Sequence, residues 1–86
     1  MNYAEKIKLL PAKDRADAWA IFMELAKCLI DTHNIPRYRK LAESANKILS
    51  DNGLTPAFDL DVDDNVFFYH LTQHMRQIKK NKREND

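Results

Sequence analysis

The sequence predicts an all-α protein, a small bundle of three main helices with a short N-terminal helix or single turn before them. Apolar residues recur at spacings of three and four along three long segments, as on one side of an α-helix. The 86 residues include one glycine and three prolines, and all four lie at the edges of these segments or between them. A chain of this length, 44% apolar and 31% charged, has the composition of one globular domain, so we expect residues 1–86 to fold as a single unit.

The N-terminal segment is separated from the first main helix by Pro11. It has apolar residues at positions i, i+4 and i+7, namely Tyr3, Ile7 and Leu10. The first main helix is predicted over residues 11–32, because Pro36 pushes the residue before it into an extended conformation.

This first main helix is expected to be the centre of the fold. Its polar side is a narrow stripe of Asp17, Glu24, Lys27 and Asp31, in which Ala20 fills the gap. Its opposite side is apolar and consists of Trp19, Phe22, Met23, Ala26, Leu29 and Ile30, with a second apolar row at Ile21, Leu25 and Cys28. A helix that is apolar over so wide an angle must be covered on more than one flank, which predicts a core helix.

The second main helix is predicted over residues 36–52, with Pro36 at its start. Its apolar stripe is Tyr38, Leu41, Ala42, Ala45, Ile48 and Leu49. Gly53 is placed to adopt the positive φ that ends many helices, with Leu54 packing back on the last turn.

The third main helix is predicted over residues 63–80, after an ordered connection fixed by Phe58, Leu60 and Val62. An aspartate caps it, at Asp61, Asp63 or Asp64. Its inward stripe is Phe67, Phe68, Leu71, His74, Met75 and Ile78. Residues 79–86 form a charged segment with no apolar period, so we expect a frayed tail.

Charge and cysteine content favour a cytoplasmic protein without a dedicated polyanionic partner. The net charge is +1, and a basic segment, 36–50, is followed by an acidic one, 51–65, so the two can pair across the fold. The single cysteine, Cys28, cannot form an intramolecular disulfide and is expected to be buried. Charges at Glu24 and Lys27 interrupt the longest apolar run, so we expect neither a membrane span nor export.

The sequence contains no recognisable catalytic, cofactor or metal motif. There is no glycine-rich phosphate loop and no nucleophile elbow, which favours a protein that is not an enzyme and holds no cofactor. Asp59, Asp61 and Asp63 match the first ligands of a calcium loop, but Asp64 and His70 stand where that loop needs glycine and glutamate.

Two histidines, His70 and His74, share one side of the third helix at i, i+4 spacing. Zinc would need a third protein ligand, for which Cys28, His33 or an acid of residues 59–64 is available without a motif to place it. The alternative, which we favour, is one half-buried and one exposed histidine and no metal.

Protein binding is the function class that the sequence favours most. Eight aromatic residues cannot all face one core, and Phe67, Phe68 and Tyr69 diverge by about 100° each along a helix. The chain is therefore expected to be an interaction or regulatory module that binds another protein or pairs with a second copy of itself. The predicted binding residues are Tyr38, Phe58, Phe68, Tyr69 and Met75.

Nucleic-acid binding is the alternative that the basic residues suggest. Those at the start of the second helix and the end of the third could form one basic face: Arg37, Arg39, Lys40, Arg76, Lys79 and Lys80. The near-neutral net charge favours protein binding over this alternative.

The chain also resembles a known family, the theta subunit of bacterial DNA polymerase III and its phage homologues, the HOT proteins. The resemblance covers about forty residues and is carried by Asp14-Arg15, Asn34-Ile35-Pro36, and Phe67, Leu71 and His74 with Arg76 nearby. This chain differs from the family at Arg37-Tyr38-Arg39 and in its longer connection before the last helix. The resemblance implies a three-helix accessory subunit that binds and stabilises a proofreading exonuclease without catalysing a reaction itself.

Overall fold

The computed structural model describes residues 2–27 and 34–85, with the backbone alone for 79–85. Over these residues the chain forms four α-helices: α1 (Tyr3–Ile7), α2 (Ala12–Ala26), α3 (Ile35–Asp51) and α4 (Asp64–Asn85). No strand occurs in either described range. The predicted all-α class is confirmed, and the short N-terminal element is a helix.

Side-chain caps define where two of the four helices, α1 and α4, begin. The Asn2 side chain accepts a hydrogen bond of 2.9 Å from the Glu5 amide at the start of α1. Asp63 does the same for the Val66 amide, also at 2.9 Å, at the start of α4. Each cap supplies an acceptor to an N–H that has no partner within its own helix. Of the three aspartates that the sequence offers as caps for α4, Asp63 is therefore the N-cap.

Gly53 ends α3 as its position in the sequence predicts. Its φ is +76°, a conformation that disfavours residues with a Cβ. The Gly53 amide bonds the Ser50 carbonyl at 3.0 Å and the Leu54 amide bonds the Leu49 carbonyl at 2.9 Å. These two bonds are those of a Schellman motif, and they satisfy carbonyls that the helix end leaves free.

Two predicted helix ends differ from the structure. α2 ends at Ala26 with Lys27 as its C-cap, and the rest of the predicted helix, residues 28–32, lies outside the described residues together with Cys28 and His33. α4 continues to Asn85, beyond the predicted end near residue 80, and the frayed tail stays a prediction. Lysine, arginine and glutamate have high helix propensity, and basic residues complement the negative end of the helix dipole, so the helix does not need apolar periodicity to continue there.

The helices surround one apolar core. α2 packs mainly on α3, α1 packs on α2, and α4 packs on α3. The buried apolar side chains come from all four helices, from the turn between α1 and α2, and from the connection between α3 and α4: Tyr3, Ile7, Leu10, Ala18, Leu25, Tyr38, Ala42, Ala45, Leu49, Phe58, Phe67, Leu71, Met75 and Ile78. The apolar stripes predicted for the second and third main helices, α3 and α4, therefore do face the core.

The predicted environment of α2 is wrong. Its fully buried residues are Ala18 and Leu25, whereas Trp19 is 36% exposed and Met23 is 63% exposed. The molecule measures 32 × 31 × 18 Å, and its shortest dimension has room for only two helical layers about 10 Å apart. No helix can be covered on all sides in such a shape, so α2 leaves part of its apolar surface in solvent.

A buried lysine fastens α1 to the connection between α3 and α4, residues 52–63. Lys6 is only 8% exposed. Its ammonium donates to the Thr55 carbonyl at 2.9 Å, the Thr55 hydroxyl at 2.8 Å and the Pro56 carbonyl at 3.2 Å. The three N–H groups of the ammonium thus have three neutral acceptors, which offsets the cost of removing the charge from water.

Two polar side chains of α3 hold the rest of this connection. The Asn46 amide donates to the Phe58 carbonyl at 2.8 Å, and its oxygen accepts from the Ala57 and Phe58 amides, each at 3.1 Å. Arg39 donates to the carbonyls of Leu60 and Val62 and to the Asp64 carboxylate. The connection is ordered as predicted, but backbone hydrogen bonds to Lys6, Asn46 and Arg39 fix it as much as its own apolar side chains do.

Replacing Gly53 by alanine is expected to lower the free energy of unfolding by about 1–2 kcal/mol, the typical cost of a Cβ in the left-handed conformation. No atom lies within 4 Å of the position of the added Cβ, so the loss comes from the backbone alone. Gly53→Asn should lose less, because asparagine tolerates this conformation better. Urea unfolding of the two variants tests this, and an alanine variant as stable as the native protein would contradict the assignment.

Replacing Lys6 by methionine is expected to lower the free energy of unfolding by about 1–3 kcal/mol, because three acceptors lose their partner. The matched control is Lys8→Met two residues away, at an exposed position, where the change should stay within about 0.5 kcal/mol. Thermal and urea unfolding of both variants measure the difference. Equal effects at the two positions would show that Lys6 does not fasten α1.

Candidate functional site

The side of α2 that faces away from the core is apolar. Successive residues of a helix are about 100° apart, so residues 12, 16, 19, 20 and 23 share one side about 100° wide. All five are exposed. We call this surface the Trp19 face; it consists of Ala12, Ala16, Trp19, Ala20 and Met23.

Trp19 is the fixed aromatic residue of this face. Its ring meets the half-buried Phe22 edge-to-face, with centroids 5.3 Å apart, and Phe22 in turn meets the buried Tyr3 ring at 6.2 Å. One side of the indole is therefore held against the core while the rest is in solvent. A partly exposed tryptophan in a fixed orientation can bind a partner without a large loss of side-chain entropy.

Charged residues border the Trp19 face toward the end of α2. Glu24 accepts from Arg37 of α3 at 2.8 Å and from Lys27 at 3.3 Å. Both cations are well exposed, at 61% and 68% of the side chain. An apolar patch with a charged rim is typical of a protein-binding surface.

A second, smaller apolar site lies on α4. Val66 and Tyr69 are 37% and 61% exposed and are one helical turn apart. Tyr69 makes a tilted contact with His70, with ring centroids 5.9 Å apart. Leu9, 57% exposed, lies in the turn between α1 and α2.

Most of the predicted partner-binding residues are not on the surface. Tyr38, Phe58 and Met75 are 3%, 8% and 4% exposed, so these three do not contribute to an exposed patch, and the prediction that some of the five residues bind a partner stays a prediction. Phe68 is half-buried and stacks on Tyr38 with centroids 6.5 Å apart, and Tyr69 alone of the five is well exposed. The helical period of α4 explains this outcome, since Phe68 and Met75 lie beside the core positions Phe67 and Leu71, whereas Tyr69 points away from them.

Of the predicted basic face the structure describes four side chains, and the face itself stays a prediction. Arg39 makes contacts within the chain: it bonds Asp64 at 2.6 Å, and its guanidinium lies 5.0 Å from the centre of the Phe67 ring. Arg37 lies on the opposite flank of the apolar stripe of α3, with Lys40 beside it. Lys40 and Arg76 are exposed, and the side chains of Lys79 and Lys80 are outside the described part of the chain.

The histidines border a small cavity of about 200 Å³ between the connection and α4. Its lining residues are Ala57, Phe58, Asp59, Phe67, His70, Leu71 and His74. Binding sites for small molecules usually exceed about 300 Å³, so this cavity is small for a cofactor or metabolite.

His74 is half-buried and is linked to α1. The Tyr3 amide donates to its Nε2 over 3.4 Å, and its ring meets the Phe58 ring with centroids 5.0 Å apart. Burial, and then the nearby charge of Lys6, lower the pKa of His74 below its ordinary value of 6.5. His74 is therefore held as the neutral imidazole that an acceptor at Nε2 requires.

The acidic residues before α4 have local structural roles. Asp59 accepts from the Asp61 amide at 3.0 Å, Asp63 caps α4, and Asp64 pairs with Arg39. Among the described residues, no three histidine, cysteine, aspartate or glutamate side chains converge as metal ligands would. His70 is exposed and His74 half-buried, the arrangement that the sequence favoured over a metal site.

Comparison with known proteins identifies no relative of this chain. No protein-family model, no curated protein and no solved structure matches the chain. The resemblance to the theta-subunit family stays a prediction. In the described part of the chain, no helix combines the length and the apolar character that crossing a bilayer requires.

The sequence indicated the Trp19 face only indirectly. Both large residues of the face were assigned to the core, because the apolar period cannot distinguish a covered side from an uncovered one. The feature of the sequence that could have indicated an exposed apolar face is the width of the apolar side of α2, which exceeds what two helical layers can cover.

Stability is expected to fall on acidification from pH 6.5 toward the lower pKa of His74 in the folded protein. Above pH 6.5 the imidazole is neutral in both states, and below it the unfolded chain binds the proton first, so unfolding is favoured. His74→Gln should weaken this dependence, whereas His70→Gln, at an exposed position, should keep it. Urea unfolding between pH 8 and pH 5 measures the slopes, and identical slopes in both variants would exclude His74 as the cause.

Proposed function

We propose that this chain is a non-enzymatic binding module that docks on another protein, or on a second copy of itself, through the Trp19 face of α2. The observation that carries the proposal is the exposure of Trp19 and Met23 on one side of a helix. Apolar residues that the fold leaves uncovered, beside a charged rim, are favourable for association because binding removes them from water.

The shape of the face supports docking against a helix. Ala12, Ala16 and Ala20 recur every fourth residue beside Trp19 and Met23. Small side chains let a second helix approach α2 closely, while the two large side chains fill the grooves of that helix. Tryptophan is also the residue type most enriched among those that dominate binding energy.

The Trp19 face is more suitable than the α4 site around Tyr69. Trp19 contacts Phe22, which is itself packed against the buried Tyr3, so the indole is held in position before binding. Tyr69 touches only the exposed His70 among the ring contacts of the described residues. A preorganised residue loses less entropy on association and contributes more to affinity.

The experiment compares two double variants of equal chemistry, Trp19→Ser/Met23→Ser and Val66→Ser/Tyr69→Ser. Self-association is measured by sedimentation equilibrium, and binding to host proteins is measured by affinity capture with each variant as bait. We expect the α2 variant to weaken the interaction about thirtyfold or more, the effect of losing a 2 kcal/mol binding residue, and the α4 variant to bind as the native chain does.

Loss of binding must be separated from loss of fold. Trp19→Ser removes the edge-to-face contact with Phe22 and the apolar area that the indole buries, so Trp19→Phe, which keeps a ring against Phe22, is measured beside it, and far-UV circular dichroism at 25 °C shows which variants are folded. Binding that survives in the α2 variant, or that is lost only in the α4 variant, would exclude the Trp19 face as the docking surface.

A more specific form of the proposal follows from the resemblance to the theta-subunit family, with a proofreading exonuclease as the partner. Its support is the bundle of three main helices and the inward packing of Phe67 and Leu71. Asp14 and Arg15, the first pair of residues that matches the family, make contacts within the fold. Asp14 accepts from the side-chain amide of Asn52 at 3.1 Å, and Arg15 donates to the Leu10 carbonyl at 3.0 Å. A rise in the melting temperature of a purified exonuclease subunit on adding the chain would support this partner, and an unchanged melting temperature would exclude it.

A further inference from the structure

Tyr3 connects two distant parts of the molecule. Through its backbone amide it donates to His74 Nε2 on α4, and through its ring it contacts Phe22, which supports Trp19. Its hydroxyl donates to the Ala18 carbonyl of α2 at 2.9 Å. A change in the position of α1 would therefore reach the Trp19 face by way of Phe22.

We propose that protonation of His74 loosens α1 from the bundle and thereby changes the support of Trp19, so that the Trp19 face responds to acid. The inference rests on the proposed function of that face and adds its regulation. The reason is that neutral His74 can accept a hydrogen bond from the Tyr3 amide and protonated His74 cannot.

The neutral and protonated imidazoles act oppositely at this position. Neutral Nε2 accepts the Tyr3 N–H, which is one of the free donors at the start of α1. Protonated Nε2 carries its own hydrogen and cannot accept, so two N–H groups would face each other. The partial positive charge at the start of α1 and the added charge of the imidazolium also repel.

Charged groups on three elements surround His74. From α1 comes the Lys6 ammonium. The Tyr3 phenol, whose pKa is raised by burial so that it stays neutral, bonds Ala18 on α2 and adds no charge. From the connection comes Asp59, and on α4 itself His70, both lining the same cavity. Asp59 is exposed and therefore screened by water, so the buried Lys6 and the loss of hydration outweigh it, in agreement with the lowered pKa of His74.

α1 is suited to be the element that moves. It has only five residues, and a helix of that length is not stable by itself, so its structure depends on docking. Three groups of polar contacts hold it: the Tyr3 amide on His74, the Tyr3 hydroxyl on Ala18, and Lys6 on residues 55 and 56. Protonation removes the first of these and places a second cation near Lys6.

The experiment uses Trp19 as its reporter, because it is the only tryptophan of the chain. Fluorescence emission is recorded from pH 8 to pH 5 for the native protein, His74→Gln and the control His70→Gln, with helicity followed by far-UV circular dichroism. We expect emission to shift to the red in the native protein and in His70→Gln, with a midpoint below pH 6.5 and with helicity largely kept. His74→Gln should show no shift.

A second measurement needs no variant. Nuclear magnetic resonance of the native protein follows the His74 ring, the Tyr3 amide and the Trp19 indole N–H over the same pH range, and the three should share one midpoint. Amide exchange in residues 3–7, corrected for its intrinsic rate, should accelerate by up to about tenfold for each pH unit between the ordinary and the lowered pKa of His74.

Each outcome decides the proposal. A Trp19 signal that is constant, that has a different midpoint from His74, or that shifts equally in His74→Gln would overturn it. Loss of all helicity together with the emission change would also overturn it, because that is global unfolding. These readouts use the isolated chain, so they stand or fall separately from partner binding, which the double variants of α2 and α4 test.

Discussion

The docking of α1 is the constraint on which the rest of the structure depends. This five-residue helix supplies Tyr3, Lys6 and Ile7, all of them buried, to a core formed by longer helices. Tyr3 spans the interior from α4 to α2, and Lys6 holds the backbone of the connection that leads into α4. Without α1, Phe22 and Phe58 would each lose an aromatic neighbour, and the connection would lose its first anchor.

Much of the fold could be predicted because single residues with strong conformational preferences mark the helix ends. Pro11 precedes α2, Pro36 lies in the first turn of α3, and Gly53 follows its last turn at positive φ. The inward stripes of α3 and α4 follow from a period of 3.6 residues. These are local properties, and local properties can be recognised without knowing the neighbours of a helix.

The proposed docking surface could not be predicted in the same way, because exposure depends on how many neighbours a helix has. α2 is apolar over most of its circumference, and the sequence alone favoured complete coverage. In the structure its neighbours cover only the side of Ala18 and Leu25, so Met23, expected in the core, is among the most exposed apolar residues. The polar anchors were missed for a related reason: Lys6, Asn46 and Arg39 are residue types that usually face water, and only tertiary contacts show that they hold backbone groups.

The pairing between Tyr3 and His74 also affects the order in which the molecule can assemble. These residues are separated by 71 positions, so the bond between them forms only once the chain has closed a very long loop. α3 and its Schellman motif involve only near neighbours and can form early. During synthesis on the ribosome, α1 could therefore contact α2 as soon as that helix has formed, whereas its hydrogen bond to His74 would wait until α4 has emerged.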